Sequence, residues 1–142
     1  ADIVCINGDS NLELEEVIKS YNKNLEIFYS KYRILNLDHY KNKNYFAFSG
    51  VGNNINFVNL LKKNKINVED YKFFPDHYSY SNLDISKLKK IALENHLTLL
   101  TTEKDFLRLG EEERKNIEYL STELIIDNEK KLIEKITSYE NS

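Results

Sequence analysis

Apolar and polar positions fall into blocks along this chain, and the period of each block predicts its element. Ile3 to Asn7 is a short apolar run that ends in the turn cluster NGDSN. From Leu12 to Tyr21 the spacing becomes helical: Leu12, Val17 and Ile18 share a face, and glutamates occupy the first turn, where the helix dipole favours them. Leu25 to Leu37 is rich in aromatic and β-branched residues and reads as extended, followed by the polar loop DHYKNKN. YFAFS, Tyr45 to Ser49, reads as a buried strand, and GVGNN leads from it into a helical pattern through Ile55, Val58, Leu60 and Leu61.

The second half repeats the alternation. INVEDYKFF predicts a strand, and FPDHYSYS a constrained loop. Ser81 and Asp84 then stand at capping-box spacing, ahead of a helix running to about Asn95 with Ile85, Leu88 and Ala92 on one face. LTLLTT is a strand, EKDFLRLGEEERKNI a turn with a short helical segment, ELIID a strand, and Glu129 to Tyr139 a last amphipathic helix. Strands alternating with helices predict an α/β fold with a mainly parallel sheet flanked by helices, in one domain over residues 1–142. Residues 25–44 are a candidate extended linker or hairpin segment. In such sheets ligands gather at the carboxyl ends of the strands. Three loops are predicted there: GVGNN, PDHYSYS and TTEKD.

Composition changes this picture in few places. With 142 residues, 41% hydrophobic and 30% charged, the chain has the profile of a soluble domain with a real core. A net charge of −3 supplies no basic excess for a nucleic-acid backbone, so no nucleic-acid partner is expected. Cys5, the lone cysteine, makes no internal disulfide and reads as a small core residue. The absence of methionine and the opening ADIVCING, which reads as a strand entered mid-fold, predict a piece of a longer protein, its C-terminal part. The alternative is a processed N-terminus.

Each loop carries candidate chemistry. Gly50 and Gly52, with Asn53, lie between a strand and a helix. There backbone N–H groups can face an anion, or the glycines simply shape a tight turn. The loop is neither G-x-G-x-x-G nor a Walker A sequence. Asp76 and His77 follow Pro75. An imidazole can relay or orient a proton near neutral pH, but adjacent residues usually point apart, so the partner of His77 is more naturally a group from elsewhere. The other reading is an Asx turn with an exposed imidazole. In LLTTEKDFLRL, Thr102 or Asp105 can cap the following turn, Lys104 and Arg108 can share a helical face, and Thr101 to Asp105 shape the loop. His39 reads as solvated, His96 as a helix C-terminal residue. No spacing of His, Cys, Asp and Glu makes a metal site.

In order, FAFSGVGNNINFVNLLKK, FFPDHYSYSNLDISKL and LLTTEKDFLRL resemble the C-terminal half of the tetraacyldisaccharide 4'-kinases, the lipid A kinases. The resemblance covers about Tyr45 to Leu109. Asn54 departs from a proline in the family pattern, and Tyr78 from a second histidine. The resemblance implies a Rossmann-like C-terminal lobe of a P-loop-type kinase. It also implies transfer of the γ-phosphate of ATP, with Mg²⁺, to the 4'-hydroxyl of tetraacyldisaccharide 1-phosphate, at the cytoplasmic face of the bacterial inner membrane. ATP and Mg²⁺ would be bound mainly by an N-terminal P-loop domain of the same enzyme. His77 and Asp76 would be the catalytic candidates, and His77 would pair with a carboxylate on that domain, not with Asp76. This lobe would be inactive alone. The competing expectation is a stand-alone α/β binding or regulatory domain.

Overall fold

The computed structural model describes residues 3–7, 11–52 and 54–126, with 133, 134, 136 and 137. Asn53 and most of the helix expected over Glu129 to Tyr139 lie outside the described residues. The chain divides into two compact units. One comprises residues 1–33 and 122–142, the other Ile34–Ser121. The sequence shows no composition break at either junction. The segment read as linker or hairpin forms a nine-residue strand and a helical turn.

The first unit holds strand β1 (Ile3–Asn7), helix α1 (Leu12–Tyr21), strand β2 (Glu26–Ile34, whose last residue begins the second unit) and a final strand, Thr122–Ile126, in the order β1, β2, final strand. β1 and β2 are parallel. Asn11 caps α1, its Oδ1 accepting the Leu14 N–H at 3.0 Å. The helix forms where its pattern predicts, but it buries no residue, and Leu12 and Val17 are exposed. Cys5 is likewise exposed rather than in a core. β1 is an edge strand of a three-stranded sheet.

The second unit contains helix α2 (Leu37–Tyr40), strand β3 (Tyr45–Ser49), helix α3 (Asn54–Lys63), strand β4 (Val68–Phe73), helix α4 (Asn82–Glu94), strand β5 (Thr98–Thr102), short helices α5 (Glu103–Leu107) and α6 (Glu111–Arg114), and strand β6 (Ile117–Leu120). Its sheet runs β4-β3-β5-β6, and every pairing is parallel. The strand after β6 in the chain, Thr122–Ile126, is β7 of the other unit. β6 was not expected. Its four residues follow a run of charge, too short for a period-two pattern to register.

Period two sorts the central strand into two cores. Tyr45 and Ala47 face Phe57 and Leu61 of α3, while Phe46 and Phe48 face Ile85, Leu88 and Ala92 of α4. All five residues of β3 are buried, as in a parallel strand covered on both faces. Ile55, expected on the packed face of α3, is exposed; that face runs through Phe57 and Leu61. α4 starts as its sequence predicts. Ser81 Oγ accepts the Asp84 N–H at 3.1 Å, and Asp84 Oδ2 accepts the Ser81 N–H at 2.9 Å.

Strand order positions the site. β3 connects through α3 to β4 on one side, whereas β5 connects through α5 and α6 to β6 on the other. Neighbouring strands whose connections leave in opposite directions open a crevice at their carboxyl ends. The loops after β3 and β5 border that crevice, and the loop after β4 lies beside them.

Candidate functional site

The three loops converge on one carboxylate. Asp105 is fully buried. Gly50 donates its N–H to both carboxylate oxygens at 3.1 Å. The Tyr80 hydroxyl donates to Oδ1 at 3.0 Å, and the Thr102 hydroxyl to Oδ2 at 2.7 Å. Arg108 Nη1 lies 3.7 Å from Oδ1 and 3.4 Å from the Gly50 carbonyl. A buried charge is tolerated only when its lone pairs are filled, and here loops after three strands fill them. Burial, then the adjacent Asp105 charge and the hydrogen bond to it, push the Tyr80 hydroxyl pKa far up, so Tyr80 is a fixed donor.

This arrangement answers what the glycine loop does. Its first N–H does face an anion, and that anion is Asp105. The need for glycine lies in close approach. A Cβ on Gly50 would stand 2.9 Å from the Tyr80 hydroxyl and 3.3 Å from both Asp105 Oδ1 and the Pro75 carbonyl. One on Gly52 would stand 3.0 Å from Asp76 Oδ2. Asn53, the third candidate of this loop, is outside the described residues.

The TTEKD residues divide by role. The β3–β5 ladder registers only as far as Ala47 and Leu100, and the Thr101 hydroxyl extends it by donating to the Phe48 carbonyl at 2.7 Å. Thr102 caps α5, accepting the Asp105 N–H at 3.1 Å. Glu103 and Lys104 are not drawn into the cluster and sit on its solvent side.

The Asp76-His77 loop is held at both ends. Phe74 donates its N–H to the Ser49 carbonyl at 2.8 Å, and Tyr78 its N–H to the Pro75 carbonyl at 3.1 Å. The Tyr80 ring sits among Phe48, Phe74 and Tyr78, with centroids 5.1–5.7 Å away. The Tyr78 hydroxyl donates to Asp84 Oδ2 at 2.8 Å; this bond and those from Ser81 hold the Asp84 carboxyl below its usual range, the Ser81 backbone bond first among them. Between these anchors His77 has φ 58°, a left-handed conformation that costs a non-glycine residue about 1–2 kcal/mol. Such strain persists only where the surroundings impose it, and it gathers at functional positions.

His77 faces solvent, its side chain 79% exposed. Asp76 Oδ1 accepts the His77 N–H at 3.0 Å, an Asx-type contact. The ring's Nε2 lies 3.5 Å from Asp76 Oδ2, beyond a good hydrogen bond, which leaves the imidazole free to meet a further acceptor. The geometry thus gives Asp76 a loop-holding part. An open cleft of about 480 Å³ is lined by His77, Tyr78, Ser79, Tyr80 and Arg108. Tyr80 escaped the sequence reading. Its one signal was a phenol in a polar loop, whose hydroxyl needs a partner once its ring is buried.

His39 and His96 stand apart from this site. His39 is not simply solvated, since its Nε2 lies 3.2 Å from Glu118 Oε1. His96 ends α4 in a left-handed conformation, φ 55°.

A doubly wound parallel sheet with its polar loops gathered at the switch point defines a Rossmann-like α/β lobe, with an exposed histidine on one of those loops. The chain belongs to the tetraacyldisaccharide-1-P 4'-kinase family, whose model matches residues 1–141. It is 39% identical over 131 residues to a tetraacyldisaccharide 4'-kinase of Pelagibacter ubique, covering 92% of this chain and 42% of that protein. It is 37% identical over 136 residues to that of Rickettsia felis, covering 96% of this chain and 41% of the relative. The fold is similar to a crystal structure of LpxK from Aquifex aeolicus in complex with ATP, with a TM-score of 0.56 at 23% identity, over 96% of this chain and 51% of that one. The chain therefore spans about two fifths of the length of these curated relatives.

Proposed function

We propose that this chain is the C-terminal lobe of an enzyme that transfers the γ-phosphate of ATP to the 4'-hydroxyl of tetraacyldisaccharide 1-phosphate, forming lipid IVA. The observation that carries the reading is His77: exposed, strained and clamped at the strand ends of a chain of this family.

The Gly50 N–H is taken by Asp105, and among the described residues no group of three or more His, Cys, Asp or Glu could hold a metal ion. In this reading ATP and Mg²⁺ belong mainly to an N-terminal P-loop domain of the same enzyme, and this chain contributes His77. An imidazole facing a carboxylate of that domain holds it in place and tunes its basicity toward the sugar hydroxyl. Phosphoryl transfer is mostly positioning and electrostatics, and approach of a second lobe excludes water. Asp76 supports the imidazole through the backbone of the loop. In this reading the enzyme works at a membrane surface, the cytoplasmic face of the inner membrane, a location that an acylated substrate and the use of ATP favour. Among the described residues no helix is long and apolar enough to cross one.

The test is a 4'-kinase assay on the full-length protein, wild type beside His77→Ala, with ATP, Mg²⁺ and tetraacyldisaccharide 1-phosphate. The expected result is a large loss of turnover with little change in the KM for ATP. Unchanged turnover in a folded variant removes His77 from the mechanism. An inactive wild type favours a binding or regulatory domain.

A further inference from the structure

We infer that Asp105 and Tyr80 are positioning residues that act through His77, an inference that rests on the reading just given. His77 touches neither of them, but the loop that carries it is fixed by both. Tyr80 closes the loop with a 3.0 Å bond into Asp105 Oδ1, and its raised pKa keeps that proton in place. Asp105 also grips Gly50, and two residues on Gly52 lies against the carboxylate that accepts the His77 N–H. The imidazole is therefore tied to one buried anion by two routes, the phenol on one side and the glycine loop on the other. A residue held at φ 58° relaxes when its clamps loosen, and the ring then leaves its aim. The aromatic packing around Tyr80 does not need the hydroxyl, so Tyr80→Phe removes the latch and spares the core.

The experiment measures kcat and KM on the full-length enzyme for Tyr80→Phe and Asp105→Asn, each alone and combined with His77→Ala, together with amide hydrogen exchange over residues 76–79. Tyr80→Phe should lower kcat about ten- to a hundredfold, the scale of losing a hydrogen bond to a charged group and misplacing a reacting part. The KM for ATP should stay the same, and amide exchange over 76–79 should quicken. In the His77→Ala background Tyr80→Phe should change kcat no further, because the group it aims is gone. A merely structural role predicts equal losses in both backgrounds, and that result overturns the inference. So does unchanged exchange in Tyr80→Phe. If Asp105→Asn does not fold, Tyr80→Phe decides alone. If His77→Ala keeps full activity, the proposed function of His77 fails, and exchange over 76–79 still decides whether the latch exists.

Discussion

Two carboxylates tie the second unit together at opposite ends of its sheet. Asp105, past the carboxyl end of β5, is fully buried and takes most of its bonds from neutral donors on three loops. Glu118, near the start of β6, is partly exposed and faces Lys43, His39 and the Tyr45 hydroxyl, the last at 2.6 Å. Burial raises the Glu118 pKa, but the bonds from Lys43 and Tyr45 and the charges of Lys43 and His39 outweigh it and hold it below 4.5. The Tyr45 hydroxyl is in turn pushed up, through burial first and the Glu118 bond second. Both carboxylates join segments distant in sequence. They differ in what they hold. Glu118 ties strand starts that carry no candidate chemistry, with solvent available to repair a lost contact. Asp105 is bonded by the loops on either side of His77 and is shut off from solvent. A cluster of charge is therefore not itself a mark of function.

The comparison breaks most easily at Gly50. Gly50→Val should cost at least about 2 kcal/mol, because the new side chain meets the Pro75 backbone carbonyl and the filled Asp105 site, neither of which can retreat. A urea unfolding curve checks this, and an unmoved midpoint would mean the cluster is slack.

At the other end the cost should be smaller and should depend on pH. Glu118→Gln should lose about 1 kcal/mol near neutrality, the scale of a partly solvated charged network. Because the folded pKa is depressed, the stabilisation is full above about 4.5 and is lost as pH falls through the lower folded value. The gap between the melting temperatures of wild type and Glu118→Gln should close on acidification below 4.5. A gap constant with pH would assign the network to packing instead of charge.

The least effect on stability is expected at His77 itself. Asn tolerates a left-handed backbone, so His77→Asn should leave stability within about 0.5 kcal/mol of wild type. A marked loss would mean the imidazole supports the fold, which its exposure argues against.

The sequence alone determined much of this protein. The buried strand YFAFS, the period of α4 and its Ser81–Asp84 box were legible, and Thr102 was one of two caps the sequence offered for α5, because each is set by neighbours within a few residues. The order of the three loops carried the family. Other features were out of reach. β6 is too short to show a period. The exposed faces of Cys5 and α1 depend on what lies opposite, which no local pattern states. Only the tertiary structure decided that the anion facing Gly50 is Asp105, 55 residues along the chain, and that Tyr80 reaches the same oxygen. The physical reason is strand order. β5 is placed beside β3 by the crossover through α4, and a contact between loops exists only once the strands beneath them are neighbours.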